Sequence, residues 1–324
     1  MKRREFLQQT AAAAATLGCF PATLSAIERE TNPGQIERRA YGRTSEKVSI
    51  LAFGGIVLNR STPEKAAALV REAYEAGVNH FDIAPEYGDA EIMMGPALEP
   101  YRKKVFLSCK TGQRTEEKAA AELDRSLQRL RTDHVDLYQF HHVTRMEEVE
   151  AIFAADGAMK AFEKAKKDGK IRYLGFSAHS VEAALAMMEH FEFDSIMFPV
   201  NYATWHAGHF GPQVLARAHA KKMGILALKA LARRPWPQDA SREAREAHPN
   251  CWYEPMLDPD EALMGLRFTL SHPVTTALTS GSETCFRLAL KLAPKFTPLG
   301  PEEVAAMKQK GLATAPLFRY EPKG

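Results

Sequence analysis

From Leu51 into the last quarter of the chain, short apolar runs alternate eight times with longer stretches that carry charges every three or four residues. A run of five or six apolar residues suits a strand buried on both faces, and a period near 3.6 suits a helix lying against a sheet. A helix between two strands makes them run parallel, because an antiparallel return needs only a tight turn. The expected strands are residues 51–55, 80–84, 105–110, 135–140, 172–176, 195–200, 224–229 and 274–279. Helices are expected to begin near Thr62, Asp89, Thr115, Asp156, Val181, Pro212, Asp258 and Ser282. Eight such units over roughly 230 residues match a closed (β/α)8 TIM barrel of the α/β class better than an open doubly wound sheet.

Local chemistry supports these boundaries. Thr62-Pro63-Glu64, Thr115-Glu116-Glu117 and Asp258-Pro259-Asp260-Glu261 supply a capping side chain, an N1 proline or early acidic residues. Gly77 and Gly169 stand just past amphipathic runs, where a left-handed cap is needed. Residues 36–41 and 48–50, separated by Gly42-Arg43-Thr44-Ser45, predict an N-terminal β-hairpin that plugs the N-terminal face, and residues 301–310 predict an extra C-terminal helix. Residues 233–255, with four prolines and the bulky Trp236, Trp252 and Tyr253, are too long for a plain connection and read as a substrate loop over the mouth.

Ahead of the barrel, Lys2-Arg3-Arg4 precedes a short alanine-rich apolar run and the small-residue pattern Leu24-Ser25-Ala26. This layout predicts an export signal of twin-arginine type over residues 1–26, a linker over 27–35 and the barrel over 36–324. Its partner would be the export machinery for folded proteins, and its destination the periplasm. A cytoplasmic protein with a basic N-terminal helix is the alternative. The apolar run is too short for a permanent membrane span. The chain carries only +3, with no basic surface to suggest nucleic acid. Beyond Cys19, the widely spaced Cys109, Cys251 and Cys285 make neither a disulfide framework nor a metal pattern, and the histidines cluster only at His141-His142, so no metal is expected.

In a barrel of this kind, chemistry gathers at the C-terminal ends of the strands. Asp82 lies in the second expected strand, Tyr87 just beyond it, Lys110 closes the third, and His141 follows the fourth. Singly, each has a bland explanation as a turn cap, a packing aromatic, a solvated cation or a core imidazole. Together at one mouth they must satisfy one another. An ammonium lowers the pKa of a neighbouring phenol, and a buried lysine stays charged only beside a carboxylate, so Asp82 would hold Lys110 charged and Lys110 would activate Tyr87. His141 would orient a carbonyl oxygen. Such a group protonates an oxygen on which negative charge develops, and the hydride that completes the reduction must come from a nicotinamide cofactor.

Residues 81–91, Phe-Asp-Ile-Ala-Pro-Glu-Tyr-Gly-Asp-Ala-Glu, resemble the signature of the aldo-keto reductases. Leu127-Gln128-Arg129-Leu130 with residues 135–141 resembles that family's second block, and the similarity runs from about Ile36 to Leu292. The resemblance implies a (β/α)8 barrel, NADP as the usual cofactor, no metal, a small carbonyl or alcohol substrate, and Asp82, Tyr87, Lys110 and His141 as the tetrad, with tyrosine the acid in reduction. It also implies that Ser177 binds the nicotinamide carboxamide. Ala178 and Met197 stand where many relatives have asparagine and glutamine, with His179 or Asn201 the groups that would compensate. Gly281, Ser282 and Arg287 fall where the family binds the adenine end, and a helix start suits phosphate on physical grounds too. Glu283 there would repel a 2′-phosphate, which keeps NAD open beside NADP. Lys229 ends the seventh strand, as a contact for the cofactor phosphates or a solvated lysine. Two other readings remain: a Schiff-base enzyme of aldolase type using Lys110 or Lys229, and a non-catalytic nucleotide-binding or sensor barrel.

Overall fold

The computed structural model describes residues 29, 30 and 34–322, so the expected export signal lies outside the described residues. Eight strands close into a parallel barrel: β4 (Leu51–Gly54), β5 (His80–Asp82), β6 (Phe106–Thr111), β7 (Val135–Val143), β8 (Ile171–Ala178), β9 (Ser195–Pro199), β10 (Gly224–Leu228) and β13 (Thr276–Leu278). Each of β4 to β10 pairs with its chain neighbour, and β13 closes the ring between β10 and β4. The TIM barrel expected from the alternation is thus the fold. The strands lie at the expected places because residues packed under helices outside and against barrel-filling side chains inside must be apolar along their length.

Helix starts follow the capping logic. Thr62, Ser180, Asp258 and Ser282 each accept the backbone N–H three residues on. Gly77 and Gly169 hold φ of 97° and 75°, the left-handed stops expected of them. One unit differs: the helix expected near Asp156 is preceded by another, Met146–Phe153, and itself starts at Met159. The Glu148 carboxylate accepts from the Thr144 and Arg145 backbone N–H groups and so caps that earlier helix. Asp156 instead receives Glu116 N–H on its carbonyl.

The N-terminal hairpin is present as β2 (Arg38–Ala40) and β3 (Lys47–Ser49). Within the stretch read as linker, β1 (Arg29–Glu30) adds to β2 as a third antiparallel strand. The hairpin closes the barrel floor: Tyr41 and Val48 pack with Ala52, Phe106, Leu137, Met197, Leu226 and Leu278, a small inner core separate from the larger one between strands and helices. Arg39, fully buried, fastens it. Its Nε donates to Glu37 at 2.8 Å, and Nη1 donates to the Leu270 and Val274 carbonyls at 3.0 and 2.6 Å, satisfying the end of helix Pro259–Leu270. The final helix is Pro301–Leu312. No helix among the described residues is long and apolar enough to cross a membrane.

Arg39→Met would leave a buried Glu37 carboxylate and two carbonyls without their donor. The expected loss is about 3 kcal/mol, read from urea unfolding; a loss below about 1 kcal/mol would show that the arginine does not fasten the floor.

Candidate active site

The parallel register of β5 and β6 sets Asp82 opposite Ser108, so Lys110, two residues on, shares Ser108's face one step nearer the mouth. Both side chains are buried, and Lys110 Nζ makes a short ion pair with Asp82 Oδ2 and donates to the Ile83 carbonyl at 3.0 Å. The other carboxylate oxygen accepts from Ser108 Oγ at 2.8 Å and from Gln139 Nε2 at 3.3 Å. Because the Ser108 proton goes to the carboxylate, Ser108 Oγ accepts from His80 Nε2 at 3.0 Å, and burial first of all holds His80 neutral, with a pKa of about 4. Asp82 is therefore locked from below by neutral donors and charged to only one side, towards Lys110.

Burial pulls the Lys110 ammonium down, but the Asp82 carboxylate and the Tyr87 phenol outweigh it, and the net direction is up. Lys110 Nζ lies 5.1 Å from the centre of the Tyr87 ring. Burial raises the Tyr87 phenol above its ordinary value, and the Lys110 ammonium pulls against that rise without reversing it. The expectation of a net lowered phenol is thus corrected: the ammonium acts in the expected sense, but dehydration is the larger effect.

His141 stands inside a strand rather than after it. Strand β7 runs on to Val143, with its register shifting between Phe140 and Val143. Its ring meets Tyr87 edge to face at 5.8 Å, and Nδ1 is 2.9 Å from Glu86 Oε2. A carboxylate only accepts, so Nδ1 carries the proton and Nε2 is left to face the cavity. Burial would raise Glu86, but the bond to His141 prevails and holds its carboxyl below the usual range. Glu86 escaped the sequence reading, although it immediately precedes Tyr87.

Asp82, Tyr87 and His141 open into a cavity of about 340 Å³, which Ser177, Lys229 and Gly281 also line. The other expected cofactor residues sit elsewhere. Asn201 is corrected: its amide caps helix Tyr202–His206 through Thr204 N–H at 3.0 Å and donates to the Ala232 carbonyl, so it does not line the cavity. Ser282 caps helix Glu283–Leu292, and its hydroxyl meets His248 Nδ1 at 2.8 Å. Arg287 pairs with Glu72 at 3.0 Å and with Glu283. The repulsion expected of Glu283 is offset by Arg287 and by Lys65, which also pairs with it and which the sequence reading missed.

Lys229, at φ 70°, lies just past β10 with its ammonium 4.8 Å from the Tyr253 ring centre and 5.3 Å from that of Trp252. Burial lowers its pKa from 10.5 to about 8, and the neighbouring Cys251 opposes that fall only in part. Residues 233–255 do reach over the mouth, built on the antiparallel pair β11 (Ala232–Pro235) and β12 (Tyr253–Pro255). Asn250, Trp252 and Tyr253 line the cavity. Trp236 does not; it donates to the Cys251 carbonyl at 3.0 Å and braces the loop. Phe318, from the tail after the last helix, also lines the cavity, and nothing in its local sequence marks it.

Residues 50–295 match the sequence model of the Aldo/keto reductase family. L-galactose dehydrogenase of Arabidopsis thaliana is 34% identical over 158 residues, 44% of this chain and 49% of that protein. L-glyceraldehyde 3-phosphate reductase of Escherichia coli (strain K12) is 29% identical over 182 residues, 48% of this chain and 49% of that protein. The chain spans about half the length of the curated relatives it matches. Among solved structures, an aldo-keto reductase from Bacillus halodurans in its holo form superposes with a TM-score of 0.68 at 24% identity, over 89% of this chain and 99% of that one. With the family model spanning the whole closed barrel and the fold agreeing, the chain belongs to the aldo/keto reductase family of oxidoreductases.

Proposed function

We propose that the protein is an NAD(P)-dependent enzyme that reduces an aldehyde or ketone, or oxidises the corresponding alcohol, with Tyr87 as the acid. The observation that carries this reading is the run of contacts from the Asp82 carboxylate through the Lys110 ammonium to the Tyr87 ring, at the floor of a cavity that His141 also faces. Bound nicotinamide supplies the hydride that the carbonyl carbon takes up. Tyr87 gives its proton to the carbonyl oxygen; its raised pKa means that it is loaded as an acid at neutral pH. Lys110, kept charged by Asp82, stabilises the phenolate left behind. His141, anchored through Nδ1–H on Glu86, leaves Nε2 as an acceptor, which suits the hydroxyl of the alcohol rather than the carbonyl oxygen. Run backwards, the phenolate takes the alcohol proton. Relatives named as a dehydrogenase and as a reductase support both directions.

The residues present fit a dinucleotide. Lys229 is a cation at the cavity wall with no carboxylate paired to it among the described residues, and Gly281 brings the start of helix Glu283–Leu292 to the same space. In this reading Ser177 meets the carboxamide, Lys229 and the Gly281-Ser282 helix start take the phosphates, and Arg287 with Lys65 serves the adenine end. Lys65 and Arg287 balance Glu283 and Glu72, which removes the repulsion that would bar the extra phosphate of NADP and keeps NADP ahead of NAD by family resemblance. The twin-arginine-type signal over residues 1–26 belongs to the same proposal and assigns the enzyme to the periplasm.

Tyr87→Phe is expected to abolish reduction of a generic aldehyde while NADPH still binds, and Lys110→Met to slow it by at least ~10²-fold. Loss of NADPH absorbance measures both, and near-normal rates in either variant would defeat the mechanism. Turnover by neither the variants nor the unaltered protein would favour the sensor reading, and a borohydride-trapped lysine adduct the aldolase one.

Lys229 yields a pH test. Below about pH 8 it is charged both folded and unfolded, and burying the charge costs stability in full; the folded protein then loses the proton near 8 and the unfolded chain near 10.5. The cost therefore fades as pH rises through that window. Lys229→Met is expected to stabilise by roughly 1 to 2 kcal/mol at neutral pH, with the gain gone above that window, and to weaken nucleotide binding. A gain independent of pH in denaturant titrations would contradict the assignment.

A further inference from the structure

Away from the mouth, the last helix and the tail after it rest on a second group of histidines. Helix Tyr202–His206 lies under helix Pro301–Leu312, so close that a side chain at Gly311 would meet the Tyr202 carbonyl at 2.6 Å and the His206 ring at 2.9 Å. The Phe268 ring is 5.6 Å from His206 and 4.7 Å from His272, and Trp205 stands 4.2 Å from His272. Phe268 lies in helix Pro259–Leu270 and His272 in the turn after it, so the rings join that helix to the other two. The residues next to His206 seat the tail. The Ala207 carbonyl accepts from the Arg319 guanidinium at 3.1 Å, the Gly208 carbonyl accepts from Tyr320 N–H at 2.8 Å, and the Phe318 carbonyl passes over Gly208 where no side chain would fit. Phe318 then stacks on Phe210 at 5.2 Å and reaches the cavity.

Both imidazoles are poorly placed to take a second proton. His206 Nε2 is shut off from water and has no hydrogen-bond partner among the described residues, so an N–H there would have no acceptor. His272 already donates through Nδ1 to the Phe268 carbonyl at 2.8 Å. The charges that bear on them have the wrong sign: Lys308 and His209 act on His206, and His206 acts on His272. Carboxylates of the same packed helices are engaged, Glu303 with Arg267 at 2.5 Å, and Glu261 with Lys310 at 3.0 Å and with Arg233. Burial is the largest influence and brings both imidazoles from 6.5 to about 4. A released histidine returns to its ordinary value, so between about pH 6.5 and 4 the released form binds protons that the docked form does not. Docking therefore keeps its full strength above that window and weakens as the pH falls through it.

We propose that His206 and His272 form an acid-sensitive latch, whose protonation releases the last helix and the tail and withdraws Phe318 from the cavity while the eight strands stay closed. His80 is held neutral by burial too, but inside the barrel, where release requires strands to part. A helix and tail packed on the outside open locally at lower cost than the barrel does.

Hydrogen exchange of the whole protein, followed by mass spectrometry at about pH 7 and about pH 5 and corrected for the intrinsic rate, tests the latch. Protection of residues 301–320 is expected to fall at least about tenfold at the lower pH, with strands Val135–Val143 and Ile171–Ala178 unchanged. Replacing both rings, His206→Gln with His272→Gln, is expected to remove the difference between the two pH values. Lys308→Glu, at an exposed position that needs no repacking, is expected to keep the helix protected at about pH 5 by giving the His206 imidazolium an anion. Protection of residues 301–320 that is the same at both pH values would overturn the latch. So would a fall shared equally by the barrel strands, or a Lys308→Glu protein that opens at the same pH as the unaltered one.

Discussion

The buried ion pair between Lys110 and Asp82 is the constraint on which the rest of the site depends. An ammonium cut off from water would lose its proton unless an anion stood against it, and an unpaired carboxylate would be equally costly. The barrel meets both demands through register. Neighbouring parallel strands align Asp82 with Ser108, and the two-residue period of a strand sets Lys110 on the same face one step nearer the mouth. Ser108, Gln139 and, through Ser108, His80 donate to the carboxylate from neutral groups, so among the described residues the charge that compensates it is the lysine. The ion pair is thus held by two strands, and Tyr87, on the turn after β5, faces an ammonium held by Asp82 and the Ile83 carbonyl.

In the proposed reaction, the pair also explains why a phenol raised by burial would still serve. A tyrosine already ionised at neutral pH would have no proton to give, and one in water would gain little from a distant cation. Dehydration keeps Tyr87 protonated at rest, while the same low-polarity surroundings strengthen its attraction to Lys110 once negative charge develops. The two opposing influences on the phenol would therefore act at different stages of the proposed reaction.

What could be read from the sequence follows from how many residues share each signal. Strands such as Gly224–Leu228 were visible because parallel strands buried on both faces are apolar throughout, and caps such as Thr62 and Asp258 because one side chain and a following proline suffice. Asp82, Lys110 and His141 were visible as polar groups near the ends of apolar runs. Glu86 and Lys65 were not, since an acid in a turn and a lysine on a helix have many surface uses, and only their contacts with His141 and Glu283 distinguish them. Asn201 misled for the opposite reason: a polar residue just after a strand can be a ligand or a helix cap, and here its amide is consumed by Thr204 and Ala232. Phe318 reaches the cavity only because the tail folds back, with Tyr320 N–H held by the Gly208 carbonyl at 2.8 Å.

Strands and loops divide the labour at the mouth. Asp82, Lys110 and His141 belong to three neighbouring strands, whereas Trp252 and Phe318 come from a long loop and a chain end, segments that a barrel can exchange without disturbing its hydrogen-bond ladder. Strand β7 joins the two groups. Its register shift beyond Phe140 breaks the alternation that would otherwise send consecutive side chains to opposite faces, and the positive φ at His142 leaves two successive histidines lining one cavity. A regular strand would have supplied one. The irregularity carries the cost of a strained backbone, which the His142 N–H bond to Ser177 partly offsets, and it sets the ring beside Tyr87 and the next ring along on one cavity wall.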